Sequence, residues 1–132
     1  MLLKQSVLVK AIITEDFRTE LLSKLRGAIG EIDLGLQQLE NQGQRYLLGI
    51  DRSNIQQMLA VRQEIEEEKK KQELLKSQLN EKIKEVESLP VGVEYPQGNL
   101  EGFVEVTLGD DLTSKIARQE IVIRDGIIIE IR

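Results

Sequence analysis

Residues 22–50 read LSKLRGAIGEIDLGLQQLENQGQRYLLGI. Apolar or small residues recur there at Leu22, Leu25, Ile29, Ile32, Leu36, Leu39, Gly43, Tyr46 and Ile50. The steps alternate between three and four, an average of about 3.5 residues, which keeps one stripe of a helix turned toward a partner helix. The stretch therefore predicts one half of a coiled coil. It is not a strong helix former by itself. Gly27, Gly30, Gly35, Gly43 and Gly49 each cost about 1 kcal/mol relative to alanine, so packing must offset them. Glycine also lets another backbone approach closely.

The partner helix lies downstream. Gly49-Ile50-Asp51-Arg52-Ser53-Asn54 has the residues of a hairpin tip. Gly49 can close one helix, and Ser53 or Asn54 can cap the next. The alternative is one unbroken helix whose seam is covered by another chain. A second helix over 54–88 carries a seam at Met58, Val61, Ile65, Glu68, Gln72, Leu75, Leu79, Lys82, Val86 and Leu89. Its middle, EEEKKKQE at 66–73, is charged, with Glu–Lys pairs at helical spacing that suit a solvated face. With the tip near residue 52, Glu68 and Gln72 fall opposite Leu36 and Ile32. That mismatch leaves an apolar stripe on the first helix open to another chain or a ligand.

Outside the helices the period changes to two. Residues 6–13 are rich in β-branched side chains and read as a strand, with Thr14 as the helix cap and Glu15 and Asp16 in the favourable first turn. Pro90 ends the helical region. Both prolines and three glycines fall in 90–102, which reads as a linker. Residues 103–108 alternate as a strand, Gly109-Asp110 is a turn, and Asp110 or Asp111 can cap a short helix. Asp125-Gly126 between two isoleucine-rich runs is a strong hairpin signal. A two-residue turn would pair Ile123 with Ile128 and Val122 with Ile129. Both faces of that hairpin are then apolar, which predicts a homo-oligomer.

The expected fold is α+β, as one domain over 1–132. A long antiparallel coiled-coil helical hairpin (14–89) is inserted between an N-terminal strand (6–13) and a C-terminal small antiparallel β unit (103–132), with the first strand joining the last ones.

Composition excludes several chemistries. The chain of 132 residues has no Cys and no His. Disulfides, cysteine nucleophiles and histidine-based triads are absent, and zinc, haem and iron–sulfur centres lose their usual ligands. The net charge of −5 argues against a basic nucleic-acid binder. No run approaches the roughly 18 apolar residues of a membrane span, and no signal peptide is visible, so the expected location is the cytoplasm.

Four stretches carry a family likeness: VLVKAIITEDF at 7–17, NQGQR at 41–45, GFVEVTLGDDL at 102–112 and EIVIRDGIIIEIR at 120–132. In these the chain resembles the YlqD-like family of small bacterial proteins, its cyanobacterial branch above all. The likeness covers both β ends and the first helix and is weaker across 51–88. Gly27, Gly30 and Gly35 depart from the family pattern. The resemblance implies an architecture and supplies no catalytic residues.

Residue by residue, few sites suggest themselves. Asp110 and Asp111 with Glu105 could bind a divalent cation, the basis for a third reading as a divalent-metal-dependent enzyme, but aspartates here also suit a turn and a helix cap. Ser114 and Lys115 are adjacent on a helix and point apart, so they form no dyad. Lys69-Lys70-Lys71 follows three glutamates and reads as a solvated face. Together with Arg18, Lys24 and Arg26 it is the basis for an alternative nucleic-acid or ribosome-associated role. The leading expectation is a non-enzymatic interaction protein without cofactors. Leu25, Ile29, Ile32 and Leu36 would be its partner-binding residues.

Overall fold

The structure is a computed structural model that describes residues 1–132. The chain forms two compact units, Met1–Thr19 with Leu89–Arg132, and Glu20–Ser88. The α+β architecture is the expected one: an N-terminal strand, two long helices and a small C-terminal β unit.

In the first unit, strand β1 (Leu2–Ile12) leads into helix α1 (Glu15–Leu48), which continues through the second unit. Strand β2 (Glu94–Glu105), a short helix α3 (Leu112–Ile116), and strands β3 (Gln119–Arg124) and β4 (Ile127–Ile131) complete it. Helix α2 (Ile55–Ser88) belongs to the second unit. The sheet order is β2-β1-β3-β4. β1 is antiparallel to β2 and parallel to β3, and β3 and β4 form the antiparallel hairpin. Thr14 caps α1 by accepting from the Phe17 N–H at 3.1 Å. Ala11, Ile12, Ile13, Tyr95 and Val122 are the buried core of this unit. Phe17 and Tyr95 meet at 6.4 Å between ring centroids.

Residues 90–102 are not a linker throughout. β2 begins at Glu94 and runs through Pro96, Gly98 and Gly102. The strand tolerates them because it is an edge. A bulge opposite Val9/Lys10 steps from Pro96 to Gly98, so the proline replaces no essential ladder donor. The long β2 also pairs back to Leu2, so β1 starts earlier than residue 6.

The terminal hairpin has the expected two-residue turn, with positive φ at both Asp125 (49°) and Gly126 (84°). Ile123 pairs with Ile128 as expected, but Val122 pairs with Glu130 and not with Ile129. A bulge intervenes. It places Glu130 across from Val122, on the face where Arg132 also lies, and Arg132 Nε bonds Glu130 at 3.0 Å. Without the bulge, Glu130 would be turned to the other face, opposite Ile121.

In the second unit, Asn54 caps α2 by accepting from Gln57 N–H at 3.2 Å, and Asp51 accepts from Ser53 N–H in the tip. The bond from Ser53 holds the Asp51 carboxyl below its ordinary range. The seam of α1 follows the heptad reading as far as Gly43. Beyond it Leu47 turns inward while Tyr46 is 56% exposed. On α2 the inward positions after Gln72 are Lys76, Leu79, Ile83 and Val86, in place of Leu75 and Lys82.

The stagger of the hairpin is also shifted from the expected one. Gly43 meets Ile65, Asp33 pairs with Lys76 at 2.6 Å, and Arg26 with Glu87 at 3.0 Å. This register sets Gln72 opposite Leu36, and no longer opposite Ile32. At this register Ile65 fills the space beside Gly43, where a β-carbon would stand 2.5 Å from its δ-methyl.

A groove along the helical hairpin

Between α1 and α2 runs an open groove of about 530 Å³. Its apolar lining is Ile32 and Leu39 from α1 and Leu75 and Leu79 from α2. Two features of sequence open it. On α1, Ala28 and Gly35 stand one heptad apart and supply little side chain, and no atom lies within 4 Å of where a Gly35 β-carbon would be. On α2, Glu68 and Gln72 occupy seam positions, but Gln72 Nε2 donates to Glu68 Oε1 at 3.0 Å. They satisfy each other along α2 and do not fill the space facing α1. Leu75, advanced off the seam, is left 48% exposed at the groove wall.

The charged residues in the lining are Glu31 and Glu68, both acidic. The groove is thus a concave strip with leucine and isoleucine walls and a negative rim. Such a strip can take the apolar stripe of a third helix.

Of the residues expected to bind a partner, Ile32 lines the groove. Leu25 is only 8% exposed and has no surface to offer. Ile29 and Leu36 are half-buried and lie outside the lining. Sequence reasoning assigned Leu39, Leu75 and Leu79 to the seam and did not see them as a site. The spacing of Ala28 and Gly35, set against the polar pair Glu68 and Gln72, is the signal that marks the opening.

The remaining candidates are engaged locally. Asp110 accepts from Thr107 N–H at 2.9 Å, and this bond holds its carboxyl below the usual aspartate range. Asp111 accepts from Thr113 N–H and from Ser114 Oγ, at 3.1 and 2.8 Å, as the cap of α3. No group of three or more acidic side chains gathers where an ion could be held. Among the basic residues, Arg18 pairs with Glu15 and donates to the Leu89 carbonyl. Lys24 pairs with Glu20, Arg26 with Glu87 and Lys69 with Glu66. No helix is long and apolar enough to cross a membrane.

Comparison with known proteins gives a family and a fold. The family described as "YlqD protein" matches residues 1–132. An "Uncharacterized protein YlqD" from Bacillus subtilis (strain 168) is 40% identical over 50 residues, 38% of this chain. The match spans 39% of that relative's length. A crystal structure of a protein of unknown function from Synechococcus sp. WH 8102 superposes with a TM-score of 0.88 at 26% identity. It covers 100% of this chain and 94% of that one.

Proposed function

From the chain's place in the YlqD family, to which it belongs by a match over all its residues, and from its groove, we propose a cytoplasmic, non-enzymatic interaction protein that docks a partner helix along α1 and α2. One observation carries the reading: Ile32, Leu39, Leu75 and Leu79 converge on a groove whose only charged lining residues are Glu31 and Glu68. The apolar walls favour a helix with leucine-type residues at i, i+3, i+4 and i+7, and the acidic rim favours lysine or arginine beside that stripe. The partner is therefore an amphipathic helix with basic flanks. The net charge of −5 weighs against a nucleic-acid surface.

The test uses a synthetic amphipathic helix bearing leucines at that spacing and lysine flanks, labelled for fluorescence anisotropy. The intact chain is expected to bind it, and Ile32→Ser with Leu39→Ser to lose at least tenfold in affinity, about 1.4 kcal/mol. Leu34→Ser, at an exposed position outside the lining, should bind like the parent. Glu31→Gln with Glu68→Gln should weaken binding and flatten its salt dependence. Equal binding by the parent and the Ile32/Leu39 variant, or none by the parent, would overturn the proposal.

A further inference from the structure

The tip of the hairpin has a charge pattern unlike the rest of the chain. Between Glu40 and Glu64 the sequence holds Arg45, Arg52 and Arg62 and one acidic residue, Asp51. Residues 41–63 thus carry +2, which leaves −7 for the remainder of a chain at −5. Asp51 is turned into the tip, where its carboxylate accepts from the Ser53 N–H at 3.1 Å. Arg18, Arg26 and Arg132 pair with carboxylates, whereas Arg45, Arg52 and Arg62 pair with none.

Apolar side chains are exposed beside these arginines. Leu48 ends α1 and is 84% exposed, and Ile55 opens α2 and is 64% exposed. Leu59 follows one turn later at 59%. Leu47, Leu48, Ile50 and Met58 line a hollow of about 370 Å³ whose charged residues are Arg52 and Arg62. The hollow shares no residue with the groove.

The occupant of such a surface needs an apolar layer beside anionic groups. A docked helix finds little to hold, since α2 makes only about two turns between the closing loop and Arg62. Nucleic acid would meet the arginines and leave Leu48, Ile55 and Leu59 in water. The surface of an anionic bilayer supplies both parts. Aliphatic side chains enter the acyl boundary, and arginines reach back to the phosphates. The acidic remainder of the chain does not prevent this approach. Glu40 and Glu64 stand about 12–14 Å along their helices from Leu48 and Ile55. That is beyond the roughly 8 Å over which charge is felt at physiological salt. The contact lies on the membrane and needs no span, which no helix here could provide. We propose that the hairpin tip is a peripheral docking surface for anionic membranes. Leu48, Ile55 and Leu59 insert, and Arg45, Arg52 and Arg62 take lipid phosphates. This surface is separate from the groove and does not depend on it.

The experiment is flotation of the full chain with vesicles of phosphatidylglycerol or of phosphatidylcholine. The chain is expected to float with phosphatidylglycerol, less as salt rises, and to stay behind with phosphatidylcholine. Leu48→Ser with Ile55→Ser, and separately Arg52→Gln with Arg62→Gln, should each lose at least about tenfold in partitioning. Their far-ultraviolet circular dichroism should be unchanged. Ile32→Ser with Leu39→Ser should float like the parent. Should a tip variant fail to fold, a fluorescent probe decides. The chain has no Trp, so Leu48→Trp reports insertion as a blue shift of its emission on phosphatidylglycerol vesicles. Four results would each overturn the proposal: no flotation with phosphatidylglycerol, equal flotation with both lipids, binding that both tip variants retain, or Leu48→Trp emission that vesicles leave unmoved. Displacement by soluble glycerol phosphate would also contradict it, reducing the site to a phosphate pocket. Polyuridine or an acidic amphipathic peptide bound in place of vesicles would contradict it too, assigning the tip to nucleic acid or to protein.

Discussion

The δ-methyl of Ile65 in α2 stands 2.5 Å from where a β-carbon on Gly43 of α1 would be. Gly43 is buried on the seam, and Ile65 occupies the space its missing side chain leaves. A large residue there must push α2 away. Gly43→Leu should destabilise the hairpin by about 1–3 kcal/mol through overpacking. Adding Ile65→Ala should recover part of that loss, because the two sites share one space. Urea unfolding of the two single variants and the double checks both statements. Gly43→Ala should cost far less, since only the flexible end of Ile65 must swing aside and alanine favours the helix.

Gly27 and Gly30 are a contrasting case. Both lie inside α1, and a β-carbon at either would meet nothing within 4 Å. Gly27→Ala and Gly30→Ala should each stabilise the protein by about 1 kcal/mol, the helix-propensity difference. A higher urea midpoint with an unchanged slope is the expected result.

The carboxylate network at the C-terminus makes stability depend on pH. The Arg132 guanidinium donates to Glu94 and holds its carboxyl below the ordinary glutamate value of 4.5. Lys10 adds attraction at 3.9 Å. A lowered folded pKa means the folded state binds its proton later than the unfolded chain does. The stabilisation is full above about pH 4.5, declines as pH falls below it, and is gone once pH passes beneath the lowered value. Glu94→Gln should flatten this acid limb by lowering the melting temperature at neutral pH, and should converge with the parent at low pH, where the parent's carboxyl is protonated. Both partners are solvent-accessible, so raising salt should shrink the difference.

Asp111 should prove a structural residue. Asp111→Ala removes the cap of α3, worth about 1 kcal/mol, so amide exchange across 112–116 should quicken about fivefold. Adding Mg²⁺ or Mn²⁺ should leave the melting temperature of the intact chain unmoved, which differential scanning fluorimetry reads directly.

Much of the architecture was legible because two periodicities run uninterrupted. The heptads from Leu22 to Gly43 gave the first helix its inward stripe, and Asp125-Gly126 gave the hairpin its turn. What escaped reading has local physical causes. Tyr46, Leu75 and Lys82 were expected inward, but Leu47, Lys76 and Ile83, each one residue further along, take those places, while Ile65, Gln72, Leu79 and Val86 keep the expected heptad. Pro96, Gly98 and Gly102 resemble linker residues, and only the pairing of β2 with β1 shows that an edge strand absorbs them. The bulge that pairs Val122 with Glu130 leaves no local pattern in the sequence. The groove was half-visible, since Glu68 and Gln72 were recognised as poor seam residues. Its walls depend on the stagger at which Gly43 meets Ile65, so Leu36 was chosen where Leu39 belongs.

The most direct test of the helix-docking account is a nuclear magnetic resonance titration of the intact chain with the lysine-flanked amphipathic peptide. The account predicts that perturbed amides trace the groove, at Ile32, Gly35, Leu39, Glu68, Gln72, Leu75 and Leu79, while β1 to β4 stay unchanged. Perturbations centred on β4, scattered over the surface, or absent at saturating peptide would contradict it.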